Sequence, residues 1–175
     1  MVKTARKLHN MSIKGFKSIK ECSVGLNDIN ILIGANGAGK SNFISAFALL
    51  QSILDKELQM YVARNGMNSL LYNGIKETDN ISMNFDFGTN SYGFELIPTD
   101  DNRLIFKKEY FVFKGTESQI SSSKGSYESN WEEGVHNPMD HFAKPVLNER
   151  PWKVYHFHDT SRTSKVKQLH NVDNN

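Results

Sequence analysis

Residues 34–41 read Gly-Ala-Asn-Gly-Ala-Gly-Lys-Ser, GANGAGKS, and stand between the apolar run Ile29-Asn30-Ile31-Leu32-Ile33 and the segment NFISAFALL at 42–50. Gly34, Gly39, Lys40 and Ser41 satisfy the pattern G-x-x-x-x-G-K-[ST]. The run before it is short, β-branched and apolar on both faces, which predicts a central, buried parallel strand at 29–33. After it, Phe43, Ile44, Phe47 and Leu50 recur at helical spacing. The order is strand, glycine loop, helix.

That order suits a phosphate chain. Backbone N–H groups converge on the anion where the helix dipole presents its positive end, and side chains would block the approach. Gly34, Gly37 and Gly39, with Ala35 and Ala38 between them, let the loop curl its amides inward. Lys40 adds a point charge for the β- and γ-phosphates, Ser41 offers a hydroxyl to Mg²⁺, and Asn42 falls nearer the α-phosphate. The plain alternative is a glycine-rich turn that binds nothing; the flanking elements argue against it.

Composition sets bounds on the rest. A chain of 175 residues fits one domain or a large part of one, and 38% hydrophobic residues suffice for a core. The net charge of +2 is too mild to argue for nucleic acid. Lys3, Arg6, Lys7, Lys14, Lys17 and Lys20 cluster early and Arg162, Lys165 and Lys167 late, which a solvated face explains more simply. The single cysteine, Cys22, excludes an internal disulfide or a cysteine-rich zinc site and suits a reducing compartment. No apolar stretch approaches 18 residues and no signal-peptide core opens the chain, so the expectation is a cytoplasmic protein without a membrane partner.

Along the chain, Met11–Ile19 predicts a first strand and Gly25–Asp28 a turn. The helix from Lys40 is expected to run on through LLQSILDKELQMYVA, because Leu49, Leu50, Ile53, Leu54, Leu58 and Met60 keep the 3.6 period. Asn65-Gly66 and Asn73-Gly74 break the pattern. Three alternating segments within 80–114 predict an antiparallel meander, with Phe85, Phe87, Phe94, Phe106, Phe111 and Phe113 as its core rather than a base-stacking platform. Residues 115–135 are Ser/Gly/Glu-rich and read as a mobile surface loop, and 150–160 offer one more strand at Val154–Phe157.

IKGFKSIKECSVGLNDINILIGANGAGKSNFISAF, residues 13–47, resembles the start of ABC-class ATPase heads of the RecF and SMC type. Closely over about the first 55 residues and loosely over the meander, the resemblance implies an α/β fold: a P-loop NTPase core of the ABC-head kind with an antiparallel β-meander. WKVYHFHDTS, residues 152–161, resembles a segment of bacterial RecF-like ATPases of mobile defence systems, including the Septu type that pairs with an HNH nuclease. Residues 34–41 match the family's Walker A loop, which implies ATP and Mg²⁺ at Gly34, Ala35, Asn36, Gly37, Ala38, Gly39, Lys40 and Ser41. Lys17 and Ser18 match the first-strand turn, which in such heads lies beside the α-phosphate and ribose; an exposed strand end is the alternative. Where the family has a glutamine or equivalent sensing Mg²⁺ and γ-phosphate, this chain has His158 and Asp159, so Asp159 is a candidate Mg²⁺ ligand.

Two family motifs are missing from the sequence. There is no LSGG-like signature, and no run of four apolar residues ends in Asp-Glu. The resemblance therefore implies the front part of a head, an incomplete domain, with homodimers or higher oligomers formed through the heads and DNA or an effector nuclease as partner. His156 and His158 share a strand face and His136 and His141 a near-helical interval, but strand-end or loop histidines are the default over a metal cluster. Three functions remain open: a nucleotide-switched ATPase head in DNA repair or antiviral defence, a stand-alone P-loop small-molecule kinase, and a nucleotide-binding module that does not hydrolyse. The meander directly after the first helix, and the lack of an Arg-rich lid, speak against the kinase.

Overall fold

The inner strands of the sheet alternate apolar and polar side chains, and that period of two decides which way the sheet faces. A computed structural model describes residues 7–113, 115–120 and 123–130. In β3 (Ile81–Asp86) burial alternates strictly, with Ile81, Met83 and Phe85 inward. Met11 and Ile13 do the same in β1 (Asn10–Phe16), as do Tyr92, Phe94 and Leu96 in β4 (Asn90–Pro98) and Leu104 and Phe106 in β5 (Leu104–Phe113), while Phe16, out of that phase, is buried as well. With β2 (Ile19–Gly25) and β6 (Thr116–Gln119) they form one antiparallel sheet in the order β2-β1-β3-β4-β5-β6. Cross-strand pairs Met11 with Phe85, Met83 with Phe94 and Phe85 with Tyr92 stack the apolar face.

Three helices belong to the same core. Ala46, Leu49, Leu50 and Ile53 of α1 (Lys40–Leu54), Leu58 and Val62 of α2 (Leu58–Asn65) and Met67 and Leu70 of α3 (Met67–Leu70) are all buried. The expected core phenylalanines are buried at 85, 87, 94, 106 and 111, whereas the side chain of Phe113 lies outside the described part. No helix among the described residues is long and apolar enough to cross a membrane.

Several expectations need correction. The first strand ends at Phe16, and after a two-residue turn the chain returns as β2, which pairs Ile13 with Cys22 and Phe16 with Ile19. The expected single helix breaks after Leu54: Lys56 takes φ +57°, and Glu57 N–H turns back to Ser52 O at 2.7 Å. The spacing from Leu54 to Leu58 is one helical turn, so the period runs through the break and conceals it.

The run at 29–33 is not a central buried strand. It enters no ladder, and Ile29, Ile31, Leu32 and Ile33 are 82%, 79%, 42% and 91% exposed. A strand is defined by its neighbours, and the described sheet ends at β2 and β6, leaving no neighbour for this segment among the described residues. Local chemistry bends its start instead: Asn27 N–H donates to Asn30 Oδ1 at 2.9 Å, and Asn30 Nδ2 donates to Asn27 O at 2.8 Å.

The stretch expected as a mobile loop is also structured where described. After β6, residues 123–130 lie against β5, with Gly125 N–H on Phe106 O at 2.7 Å and Phe106 N–H on Ser126 O at 3.0 Å. Their polar side chains find buried partners. Glu109, on the core face opposite Phe94, accepts from the Tyr92 and Ser129 hydroxyls at 2.6 Å each and from Ser123. Burial, and then the neighbouring Glu109 carboxylate, push the Tyr92 phenol well above its ordinary pKa, so it serves as a donor. Glu128 takes the cap of α2, accepting from Leu58 N–H at 2.8 Å and Gln59 N–H at 3.0 Å. Glu128→Ala is expected to lower stability by about 1–2 kcal/mol, the usual range for a lost helix cap, read as a shift in the chemical-denaturation midpoint. An unchanged midpoint would mean that residues 123–130 do not hold α2. The segments expected at 131–135 and 150–160 lie outside the described residues.

Candidate functional site

Helix α1 starts at Lys40, and among the described residues no side chain bonds its first amides. Its N-cap, Gly39, is left-handed at φ +91°, no side chain caps the end, and the first turn holds no acidic residue. Four backbone donors and the positive end of the dipole therefore stay available to an anion. Gly37 at φ +85° and Gly39 need glycine for their backbone, and the turn from Ala35 to Ala38 that holds Gly37 closes with Ala38 N–H on Ala35 O at 3.2 Å. Lys40 curls back over the loop, its ammonium donating to Gly34 O at 2.6 Å and Ala35 O at 2.8 Å.

The tip of the β1–β2 hairpin meets this loop from the other side. Ser18 Oγ accepts from Asn42 Nδ2 at 2.7 Å, and it would sit 3.5 Å from a Cβ placed on Gly39. Lys17 takes φ +51°, its N–H donates to Leu70 O at 2.8 Å, and its ammonium lies 5.6 Å from the Phe16 ring centre. Partial burial lowers the Lys17 pKa below the ordinary lysine value. The tip is clamped from behind, where Phe16 bridges Leu71 and Tyr72 N–H reaches Gly15 O at 3.0 Å. Gly15 has φ +71°, and a Cβ there would lie 2.3 Å from Asn80 O. This clamp of Gly15, Leu71 and Asn80 is not legible in the sequence, where Gly15 before Phe16 is its one local signal.

Gly34 to Ser41, Asn42 and the tip residue Ser18 thus come together at one helix end, with Lys17 next to Ser18 on the tip. Ser41 stands exposed in the first turn, where a hydroxyl suits a hydrated divalent cation. Asn42 is engaged with Ser18. Asp159, His136, His141, His156 and His158 lie outside the described residues. A separate open cleft of about 920 Å³ runs between residues 26–32 and α1, lined by Leu8, Leu26, Ile31, Leu32, Phe43 and Phe47 among others, and its apolar walls do not suit phosphate.

The endonuclease GajA of Bacillus cereus (strain VD045) is 34% identical over 55 residues, 31% of this chain, and the match spans only 9% of that relative's length. A solved structure from work on ATP-driven dimerization and DNA-stimulated activation of SMC ATPases is 18% identical, covering 77% of this chain and 88% of that one with a TM-score of 0.40. The family model described as AAA ATPase domain matches residues 7–166. The chain belongs to the AAA ATPase domain family.

Proposed function

We propose that residues 34–41 bind ATP with Mg²⁺ and that the chain is the nucleotide-binding part of a RecF- or SMC-like ATPase whose heads dimerise on ATP to act on DNA or a partner nuclease. The observation that carries this is the uncapped start of α1 behind a left-handed glycine, with the Lys40 ammonium folded across the loop carbonyls. In the bound state Lys40 exchanges those carbonyls for the β- and γ-phosphates, the loop amides surround the β-phosphate, and Ser41 ligates the Mg²⁺. The similarity to an endonuclease over 55 residues supports a setting in nucleic-acid cleavage or defence against foreign DNA.

Hydrolysis asks for more than this loop. A carboxylate has to orient the attacking water, and further donors have to meet charge developing on the γ-phosphate. The sequence holds neither an apolar run ending in Asp-Glu nor an LSGG-like loop. The 175-residue chain is therefore expected to bind ATP yet release phosphate no faster than its Lys40→Ala variant. Steady-state phosphate release measures this, and Lys40-dependent turnover would place a complete active site within these residues. Light scattering with ATP against ADP tests the dimerisation, which predicts a mass increase with ATP alone for the full-length protein.

A further inference from the structure

Asn42 stands in the first turn of α1 and Ser18 at the tip of a hairpin 24 residues earlier, yet their side chains are joined at 2.7 Å. The direction of that bond is fixed by chemistry. A carboxamide nitrogen has hydrogens and no lone pair to offer, so Ser18 Oγ is the acceptor. A serine hydroxyl has one proton and two lone pairs; with a lone pair facing Asn42, its proton has to point elsewhere. Ser18 Oγ also lies against Gly39, the residue that opens α1, where the uncapped amides are. We infer that Asn42 is a positioning residue, which holds the Ser18 hydroxyl with its proton turned toward the anion site so that Ser18 adds one donor to the loop. The inference rests on reading residues 34–41 as a nucleotide site and deepens it: the phosphate cradle is built from two elements, and Asn42 acts through Ser18 rather than on the nucleotide.

The surroundings fit a preset donor. The hairpin tip is pinned by Lys17 N–H on Leu70 O and Tyr72 N–H on Gly15 O, so Ser18 is presented by fixed backbone. Asn42 moves with α1 and the loop, so the bond between them keeps the two halves of the cradle in register. A donor already oriented avoids the ordering cost at binding.

The test is a double-mutant cycle on Mg·ATP affinity, measured by isothermal titration with the apo melting temperature as companion. Ser18→Ala removes the donor and is expected to weaken binding about tenfold, as for a lost hydrogen bond to a charged group. Ser18→Thr keeps the hydroxyl and should stay within about twofold of the parent. Asn42→Ala leaves the hydroxyl unoriented and should weaken binding about threefold, while Asn42→Ala on top of Ser18→Ala should cost nothing further, because the residue it acts through is gone. Unchanged affinity in Ser18→Ala, or losses that add in the double variant, would overturn the inference provided Lys40→Ala abolishes binding. Undiminished affinity in Lys40→Ala would instead overturn the nucleotide site itself and this inference with it. A structural staple alone would lower the melting temperature of both single variants without the Ser18→Thr rescue of affinity, which also counts against the inference.

Discussion

Replacing Lys40 by alanine is expected to weaken Mg·ATP binding by at least about a hundredfold, since a charge-assisted contact shared by two phosphates is lost. That ammonium is held by Gly34 O at 2.6 Å and Ala35 O at 2.8 Å, both on an exposed loop. Water replaces it there at little cost, so the variant should melt within about 2 °C of the parent. Affinity and stability are thereby separated: titration calorimetry reports the first and a thermal melt the second. Retained affinity would mean that the glycine loop binds nothing that Lys40 touches. A collapse of the melt would mean that Lys40 is part of the fold.

Phe94→Ala is expected to be the most damaging single truncation in the core, lowering stability by about 3–5 kcal/mol and the melting temperature by about 10 °C. Phe94 is fully buried in the middle of β4, with ring centres of Phe85, Tyr92 and Phe106 at 6.3, 6.0 and 6.4 Å. Both strands beside it are paired, so the backbone cannot close over the space a ring leaves. Its cross-strand partner is Glu109, whose carboxylate relies on the same packing to keep its three hydroxyl donors aligned. Phe94→Leu refills most of the volume and should recover more than half of the loss. A melting shift under about 2 °C for Phe94→Ala would show that the meander is loosely packed.

What could be read from the sequence was what local pattern specifies. The glycine loop was legible because its requirements, positive φ at Gly37 and Gly39 and a lysine opening the helix, are written in eight consecutive residues. β3 to β5 were legible because one face is core and the other solvent, which imposes alternation. β2 was not: it ends the described sheet with little buried side chain, and IKECSVG shows no apolar stripe. The break at 55–57 escaped because Lys56 adopts a left-handed backbone without the glycine that usually marks one. Residues 123–130 read as solvent-loving from their Ser, Gly and Glu, but their order comes from Glu109 and the α2 amides, which are distant in sequence. The meeting of Ser18 with Asn42 is likewise a product of topology, and nothing near either residue announces it.

The exposed run at 29–33 makes the protein colloidally vulnerable. No charge interrupts the sequence from Ile29 to Gly39, and the nearest ones are Asp28, paired with Lys7 at 3.0 Å, and Lys40, folded onto the loop. An apolar, β-branched, proline-free stretch without charge is the composition that recruits identical copies into stacked strands. Loss of soluble material should therefore grow faster than linearly with protein concentration, as for any encounter of two exposed edges. The glycines at 34, 37 and 39 limit such a stack to a few residues, because they favour bends over extension. On a ribosome adding about 5–20 residues per second, Ile33 emerges several seconds before the last strands of the sheet are made, and nascent chains on one message are exposed to each other for that interval.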